Sequence, residues 1–524
     1  MSTAPPARRD RFVLAVDLGT GGPKVGLVSL QGELAWSHHT ALPTTLVPGG
    51  GAEQDADAWW EAIAASARLG LRTGAVGPEQ VVGVACTGQW ASTVPVDDDG
   101  LPVGPCLLWM DSRGGPRSRQ VVGGPVAGYA PLTAWRWIRR TGGAPSTAGA
   151  DPVGHMLYLE HEVPEVAAAA RLYLEPVDYL SMRFTGVAAA SHASMTAAWL
   201  TDNRHQDRLV YDADLVRRAG VPAAKLPPLV PTGAVVGHVR PEVAAPLGLP
   251  PGIPVVTGTP DLHSAAMGSG AVLDYQAHLV LSTSSWISCP VPAQKTDARR
   301  QIAAVPGLVP GRYLVADNHE AGGACLQWLR DGVLAPGAGP VPYDALTAEA
   351  ATVPAGSDDV LFTPWLAGER SPVDDRNARG GFHNLSLRAT RAHLVRAVLE
   401  GVAYNSRWLH EAVEHFVGRR LPSLRIVGGG AASDLWCQIH ADVMGRTLER
   451  VADPVHANLR GAGLFAGVAL GQVDLGEVGD LVAVEARFEP APDRRAVYDR
   501  LYGEFPRLYR AQKAMFSRRN GPRA

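Results

Sequence analysis

From residue 12 onward the chain alternates short apolar runs with tight glycine-rich breaks. FVLAVD (12–17) reads as a strand of β-branched and apolar residues. Gly19, Gly21, Gly22 and Pro23 force a turn. KVGLVSL (24–30) has strand character again, breaks at Gln31-Gly32, and is followed by a third strand in ELAWSHH (33–39). A dinucleotide-binding turn must open into a helix. Here the turn opens into a strand, and neither GxGxxG nor GxxxxGK[ST] is present, so the Rossmann and P-loop readings lose ground.

Helical spacing appears from Asp57 to Thr73, where Trp59, Trp60, Ile63, Ala64 and Ala67 share a face. VVGVACTG (81–88) predicts a buried strand, and a further strand is expected at 105–109 after the Asp97–Gly100 turn. Residues 112–250 are mostly helical, including a helix over 174–186 that stops at Gly186. The Pro/Gly-dense stretch 246–261 is the best boundary, dividing the chain into domains 1–252 and 253–524. Beyond it, HLVLSTSSWISC (278–289) is again strand, small polar loop, strand. That order repeats the start of the chain and predicts a weak duplication of two α/β halves. Later helices are expected at 391–416 with Thr390 as N-cap, after Ser433, at 459–470 and at 494–515.

Composition narrows the function class. The 524 residues are 46% hydrophobic, which excludes bulk disorder, and 58 glycines with 42 prolines foretell many turns. Lys+Arg numbers 48 against Asp+Glu 51, so the basic surplus of a nucleic-acid coat is missing. Five scattered cysteines without a CxxC pair suggest reduced thiols in a cytoplasmic protein. No 18-residue apolar run predicts a membrane span. Only four lysines occur, which singles out Lys24 in its loop.

Three places suit phosphate chemistry. In Asp17-Leu18-Gly19-Thr20-Gly21-Gly22-Pro23-Lys24, glycines let backbone N–H groups approach an anion, Thr20 adds a hydroxyl, Lys24 a cation, and Asp17 a carboxylate for hydrated Mg²⁺. A plain glycine hairpin with a surface lysine is the bland alternative. Gly428–Ser433 joins a strand to a helix, where phosphate or ribose could sit, or where tight packing alone is needed. Asp261 follows a strand at the domain boundary, as a cleft carboxylate or a helix cap. No GxSxG elbow or Cys/His cluster supports a hydrolase or a zinc site.

Taken together, DLGTGGPK (17–24), EQDADAWW (53–60), TGQW (87–90), LLWMDSR (107–113), VDYLSMRFTG (177–186), GTPDLHSAAMGSG (258–270), GACLQWLRD (323–331), GERSP (368–372), LEGVAYNSR (399–407) and GGGAASDLWCQIHADVMGR (428–446) resemble the FGGY family of carbohydrate kinases, closest to its xylulokinase-like branch. The resemblance implies an α/β fold of two ribonuclease-H-like domains of the actin/hexokinase superfamily around a central cleft. It implies ATP and Mg²⁺ as cofactors, a sugar as substrate, neither nucleic acid nor membrane as partner, and leaves open the homodimer common in the family. Asp261 matches the family's catalytic base, also touching substrate, and Asp17 the carboxylate near Mg²⁺. Gly19, Thr20, Gly21 and Lys24 match the first phosphate loop, and Thr283 and Ser284 the second. Gly323 and Gln327 resemble positions near ATP, Gly429, Gly430 and Ser433 the adenosine-side turn, and Gln89 and Trp90 fall where the family contacts sugar.

The chain departs from that family at three points: Gln89-Trp90-Ala91-Ser92 replaces the usual sugar-side residues, Gly21 replaces a hydroxyl residue, and Ser282 opens the second loop in place of glycine. The expected activity is ATP-dependent phosphorylation of a sugar hydroxyl, with xylulose the leading candidate. Asp261, at an ordinary carboxylate pKa of ~3.9, would be ionised at neutral pH. The rivals are a kinase for another sugar or polyol, an actin-fold nucleotide-binding protein without kinase activity, and a nicotinamide dehydrogenase, which the hairpin after Gly22 disfavours.

Overall fold

The computed structural model describes residues 8–126, 128–334, 339 and 341–521. Two sheets organise it. The first has seven strands, in the order Val235–His238, Pro254–Val256, Val81–Gly88, Phe12–Gly19, Gly22–Ser29 and Leu34–His39, with Thr259–Pro260 also pairing to Val81–Gly88. The second has five, in the order Ser285–Ser288, Ala277–Leu281, Ser423–Val427, Thr447–Val451 and Val484–Phe488.

The duplication expected from element order is present in the pairing. Phe12–Gly19 runs antiparallel to the next strand and parallel to Val81–Gly88. Ala277–Leu281 likewise runs antiparallel to its successor and parallel to Ser423–Val427. In both halves the loop at the hairpin tip therefore projects from the carboxyl edge of parallel strands, where α/β sheets gather ligand sites. Central strands are buried on both faces, which is why they read as continuous apolar runs rather than alternating ones.

Most predicted elements appear with shifted ends. The first helix spans Ala56–Arg72, capped by the Asp55 carboxylate, which accepts from Asp57 N at 2.9 Å. Trp59, Ile63, Ala64 and Ala67 are buried on its inner face, and Trp60 is half-buried. The strand expected at 105–109 shrinks to Cys106–Leu107. Thr390 and Ser433 both cap as expected, ahead of Arg391–Val417 and Asp434–Met444. The last helix, Pro492–Asn520, outruns its expected 494–515 at both ends and continues through Pro506.

Pro254–Val256 and Thr259–Pro260 lie beyond the expected boundary at 252/253, yet both pair with Val81–Gly88. The short helix Asp261–Ser269 then crosses Ala457–Ala469, and glycine makes that crossing possible. A Cβ on Gly268 would lie 1.7 Å from the Ala457 carbonyl, and one on Gly461 1.9 Å from that of Ser264. Backbones in such contact fix where the N-terminus of the crossing helix points, and Asp261 is its first residue. No helix among the described residues is long and apolar enough to cross a membrane.

Candidate active site

The first loop is a two-residue hairpin turn. Gly19 pairs with Gly22 and Asp17 with Lys24, leaving Thr20-Gly21 at the tip. Gly22 adopts φ +116°, and a Cβ there would meet the Thr40 carbonyl at 2.1 Å, so only glycine fits. The pairing puts the Asp17 carboxylate 3.5 Å from Lys24 Nζ, with Asp17 buried and Lys24 partly open. Parallel register sets Thr87 beside Asp17 and Thr259 beside Thr87. Thr87 donates to the Thr259 carbonyl at 2.8 Å and meets Ser264 Oγ at 2.6 Å, tying the Asp17 strand to the Asp261 helix.

Asp261 is half-buried, and its Oδ1 accepts from the Leu262 amide at 2.8 Å. Its carboxyl does not keep the ordinary value expected from sequence. Burial, with the nearby Asp17 charge adding to it, pushes its pKa up to about 7. The correction matters because a proton acceptor works best when its pKa lies near the working pH.

Ser282-Thr283-Ser284 forms the second hairpin tip, with Thr283 exposed. It rests on the turn that opens the helix Gly323–Trp328. Gly323 N donates to the Ser282 carbonyl at 2.6 Å and Gly322 N to that of Thr283 at 2.8 Å. A Cβ on Gly323 would lie 2.7 Å from the Ser282 carbonyl, so this glycine is required by packing. Gln327 is exposed one turn further along.

Val280 pairs with Val427, so the Gly428–Ser433 turn lies beside the second loop. Its glycines differ. Gly428 has φ +98°, Gly430 packs on Leu281, and Gly429 is exposed, with open space for at least 4 Å around the place a Cβ would take. Ser433 caps the following helix by accepting from Trp436 N at 3.3 Å.

Gln89 N donates to the Leu18 carbonyl at 2.8 Å, which sets Gln89 behind the first loop. The Trp90 indole donates to the Ser194 carbonyl at 2.8 Å and meets the His263 ring edge-on at 5.8 Å. His263 is held neutral by burial, its pKa lowered to about 4, while its Nε2 contacts the Pro306 carbonyl at 2.8 Å. Ala91 follows at φ 60°, strained for a residue with a side chain.

Asp17, Thr20, Lys24, Gln89 and Asp261 thus gather at one sheet edge through strand register. Thr283, Ser284, Gly323, Gly429 and Gly430 gather at the matching edge of the second sheet. Sequence reasoning misses four further residues. Trp109 donates its indole N–H to Thr20 Oγ1 at 3.1 Å, and Gln54 reaches both Thr20 and Gln89. Both lie in segments that carry the family resemblance, but nothing in those segments marks their side chains as facing the loop. Glu175 accepts from Ser92 N at 3.3 Å, and Asp178 is buried behind it. Burial raises both carboxyls well above the usual range, with the Asp178 charge adding to the effect at Glu175.

Two family models match the chain: the N-terminal domain of the FGGY family of carbohydrate kinases over residues 12–268, and its C-terminal domain over 279–470. A xylulose kinase of Staphylococcus epidermidis is 26% identical over 509 residues, covering 96% of this chain and 97% of its own. A gluconokinase of Bacillus subtilis is 26% identical over 508 residues, covering 95% and 96%. Among solved structures, the xylulose kinase of Rhodospirillum rubrum superposes with a TM-score of 0.81 at 30% identity, covering 97% of this chain and 100% of that one. The gluconate kinase of Lactobacillus acidophilus reaches 0.84 at 22% identity, over 97% and 99%, and shares the fold. The chain therefore belongs to the FGGY family of carbohydrate kinases, with its actin/hexokinase-like pair of α/β domains, and is an ATP-dependent sugar kinase.

Proposed function

We propose that the sugar is a neutral ketopentose such as xylulose, and that Asp261 accepts the proton of the hydroxyl that attacks the γ-phosphoryl of ATP. The placement of Asp261 carries this reading: it stands at the start of a helix fixed by the glycine crossing, within the field of Asp17, at the edge shared with Lys24. Phosphoryl transfer asks the protein chiefly for alignment and charge stabilisation. Lys24, the Thr20 hydroxyl and the amides of the first loop face the phosphates, while Thr283, Ser284 and Gly323 hold the rest of the chain of phosphates. Gly429, Gly430 and Ser433 flank the adenosine, with open space over Gly429 for the base, and Gln327 lies nearby.

The residues present fit magnesium. Among the described residues no three His, Cys, Asp or Glu side chains converge as a metal cage. This ion is usually held by one or two carboxylates, with phosphate oxygens and waters completing its shell. Asp17 supplies such a carboxylate, and the bound ion offsets charge on the phosphates.

Electrostatics favours a neutral sugar over a sugar acid. Gln89 bonds to the Gln54 side chain, Trp90 to the Ser194 carbonyl, and Ser92 to the Glu175 carboxyl and the Trp109 backbone N–H; among the described residues no lysine or arginine hydrogen-bonds to any of the three. Trp90 offers an apolar face to sugar C–H groups. We place the domain division between Ser269 and Ala277, where the chain leaves the first sheet for the second. Five buried, unpaired cysteines support work in the cytoplasm. An ADP-release screen with Mg-ATP over xylulose, ribulose, gluconate and glycerol tests the assignment. Xylulose should give the highest kcat/KM, and a preference for gluconate would overturn the electrostatic argument.

A further inference from the structure

We propose that Gln54 is a positioning residue whose single amide orients both Gln89 and the first phosphate loop, so that sugar recognition and phosphate binding share one pivot. The inference rests on the reading of Gln89 as sugar-facing and the Thr20 loop as phosphate-facing.

Gln54 is buried, and its amide is fully used. Its Oε1 accepts from Trp59 Nε1 at 3.1 Å and from Gln89 Nε2 at 3.2 Å. Its Nε2 donates to the Thr20 carbonyl at 2.7 Å and to Thr44 Oγ1 at 3.1 Å. The two ends of an amide are alike in shape, so partners must decide which is which. An indole N–H only donates and a peptide carbonyl only accepts, and both demand the same orientation. Gln89 must then turn its NH₂ toward Gln54 and its oxygen away. That Gln89 oxygen is buried and has no hydrogen-bond partner. A donated sugar hydroxyl would satisfy it, which makes Gln89 an acceptor rather than a donor toward substrate.

The same amide sets the loop. The Thr20 carbonyl is drawn back onto Gln54, and the Gly21 carbonyl accepts from Leu42 N at 3.1 Å. In a trans peptide the N–H points opposite its C=O. The amides of Gly21 and Gly22 are therefore turned away from these two anchors. Thr20 Oγ1 already accepts the Trp109 N–H at 3.1 Å, so its own proton is free to be donated. Gln54 keeps no group for the substrate and can act only through Gln89 and Thr20.

The test is a cycle of Gln54→Met and Gln89→Met, with KM measured separately for Mg-ATP and for the best sugar. Gln54→Met preserves length and removes all four hydrogen bonds. It should raise both KM values roughly tenfold, the scale of a lost buried anchor. Gln89→Met should raise the sugar KM alone. In the Gln89→Met background, Gln54→Met should leave the sugar KM unchanged while still raising that for ATP. Additive sugar effects, or a Gln54→Met enzyme with both KM values intact, would overturn the pivot. If Gln54→Met does not fold, Trp59→Phe removes only the donor that fixes the amide, and it should raise both KM values to a lesser degree; unchanged values would overturn the pivot. Should Gln89→Met and Lys24→Ala leave both KM values unaltered, the site reading itself falls, and the pivot with it. If those two act and Gln54→Met does not, only the pivot fails.

Discussion

The two hairpin tips occupy equivalent places in their sheets, yet their chemistry differs. The first tip brings Asp17 and Lys24 to 3.5 Å of each other and has Asp261 nearby. The second, Ser282-Thr283-Ser284, carries only hydroxyls and backbone, supported by glycines at 322, 323, 428 and 430. One strand-loop-strand unit has thus been used once for charge and once for shape. The charged tip belongs to the half whose neighbours include Gln89 and Asp261. The neutral tip belongs to the half whose glycines at 322, 323, 428 and 430 let backbone and side chains of this chain pack closely, with open space over Gly429. Catalysis should accordingly be sensitive to charge in the first half and to volume in the second.

The largest effect belongs to Asp261→Asn, which should lower kcat at least ~100-fold, the scale of a lost general base. Sugar affinity by calorimetry should change little, because the amide keeps the shape. An Asn variant with most of its turnover would remove the charged half of the contrast. Next, Lys24→Ala should cut kcat/KM for ATP by roughly 10- to 100-fold, whereas Thr283→Ala should cost under about tenfold, since a lysine adds its own positive charge to a phosphate contact and a hydroxyl does not. Equal losses at the two tips would erase the distinction.

Volume is tested in the second half. A Cβ on Gly430 would lie 2.4 Å from Leu281 Cγ, while one on Gly429 meets nothing within 4 Å. Gly430→Ala should therefore destabilise by about 1–3 kcal/mol in denaturant melts. Gly429→Ala should stay within about 0.5 kcal/mol, because it adds an exposed methyl group.

The smallest effect concerns Asp178. Its folded carboxyl lies well above its unfolded value because of burial, so the folded state binds the extra proton. Its contribution is favourable at pH values below the unfolded pKa and is lost as pH rises toward the folded one. Asp178→Asn should raise Tm at both pH 5 and pH 8, and by more at pH 8. A variant that loses Tm equally at both values would show that shape, not ionisation, governs this position.

Much of this was legible in the sequence, for identifiable reasons. Strand-turn-strand at 12–30 follows from apolar runs and glycines close together, and caps at Thr390 and Ser433 follow from residue type. Asp17 and Lys24 are adjacent in space because a two-residue turn folds seven positions back on themselves. What stayed hidden depends on long-range register. Gln54 meets Gln89, Trp109 meets Thr20, and Glu175 meets Ser92 across sequence separations that no local pattern encodes. The pKa of Asp261 was equally invisible, since it depends on burial and on Asp17, 244 positions earlier in the chain. The expected boundary falls ahead of Pro254–Val256 and Thr259–Pro260, and their pairing with Val81–Gly88 in the first sheet is likewise a matter of long-range register.

The central claim is that a carboxylate poised near neutrality takes the sugar's proton. The pH dependence of kcat/KM for the preferred sugar tests it most directly, since that profile reports the ionisation of groups in the free enzyme. With the Asp261 pKa raised to about 7, activity should be full at pH 8.5 and fall about tenfold for each unit below neutrality, as protonation removes the acceptor. A rate that stays level from pH 8.5 down to pH 5 would contradict the account.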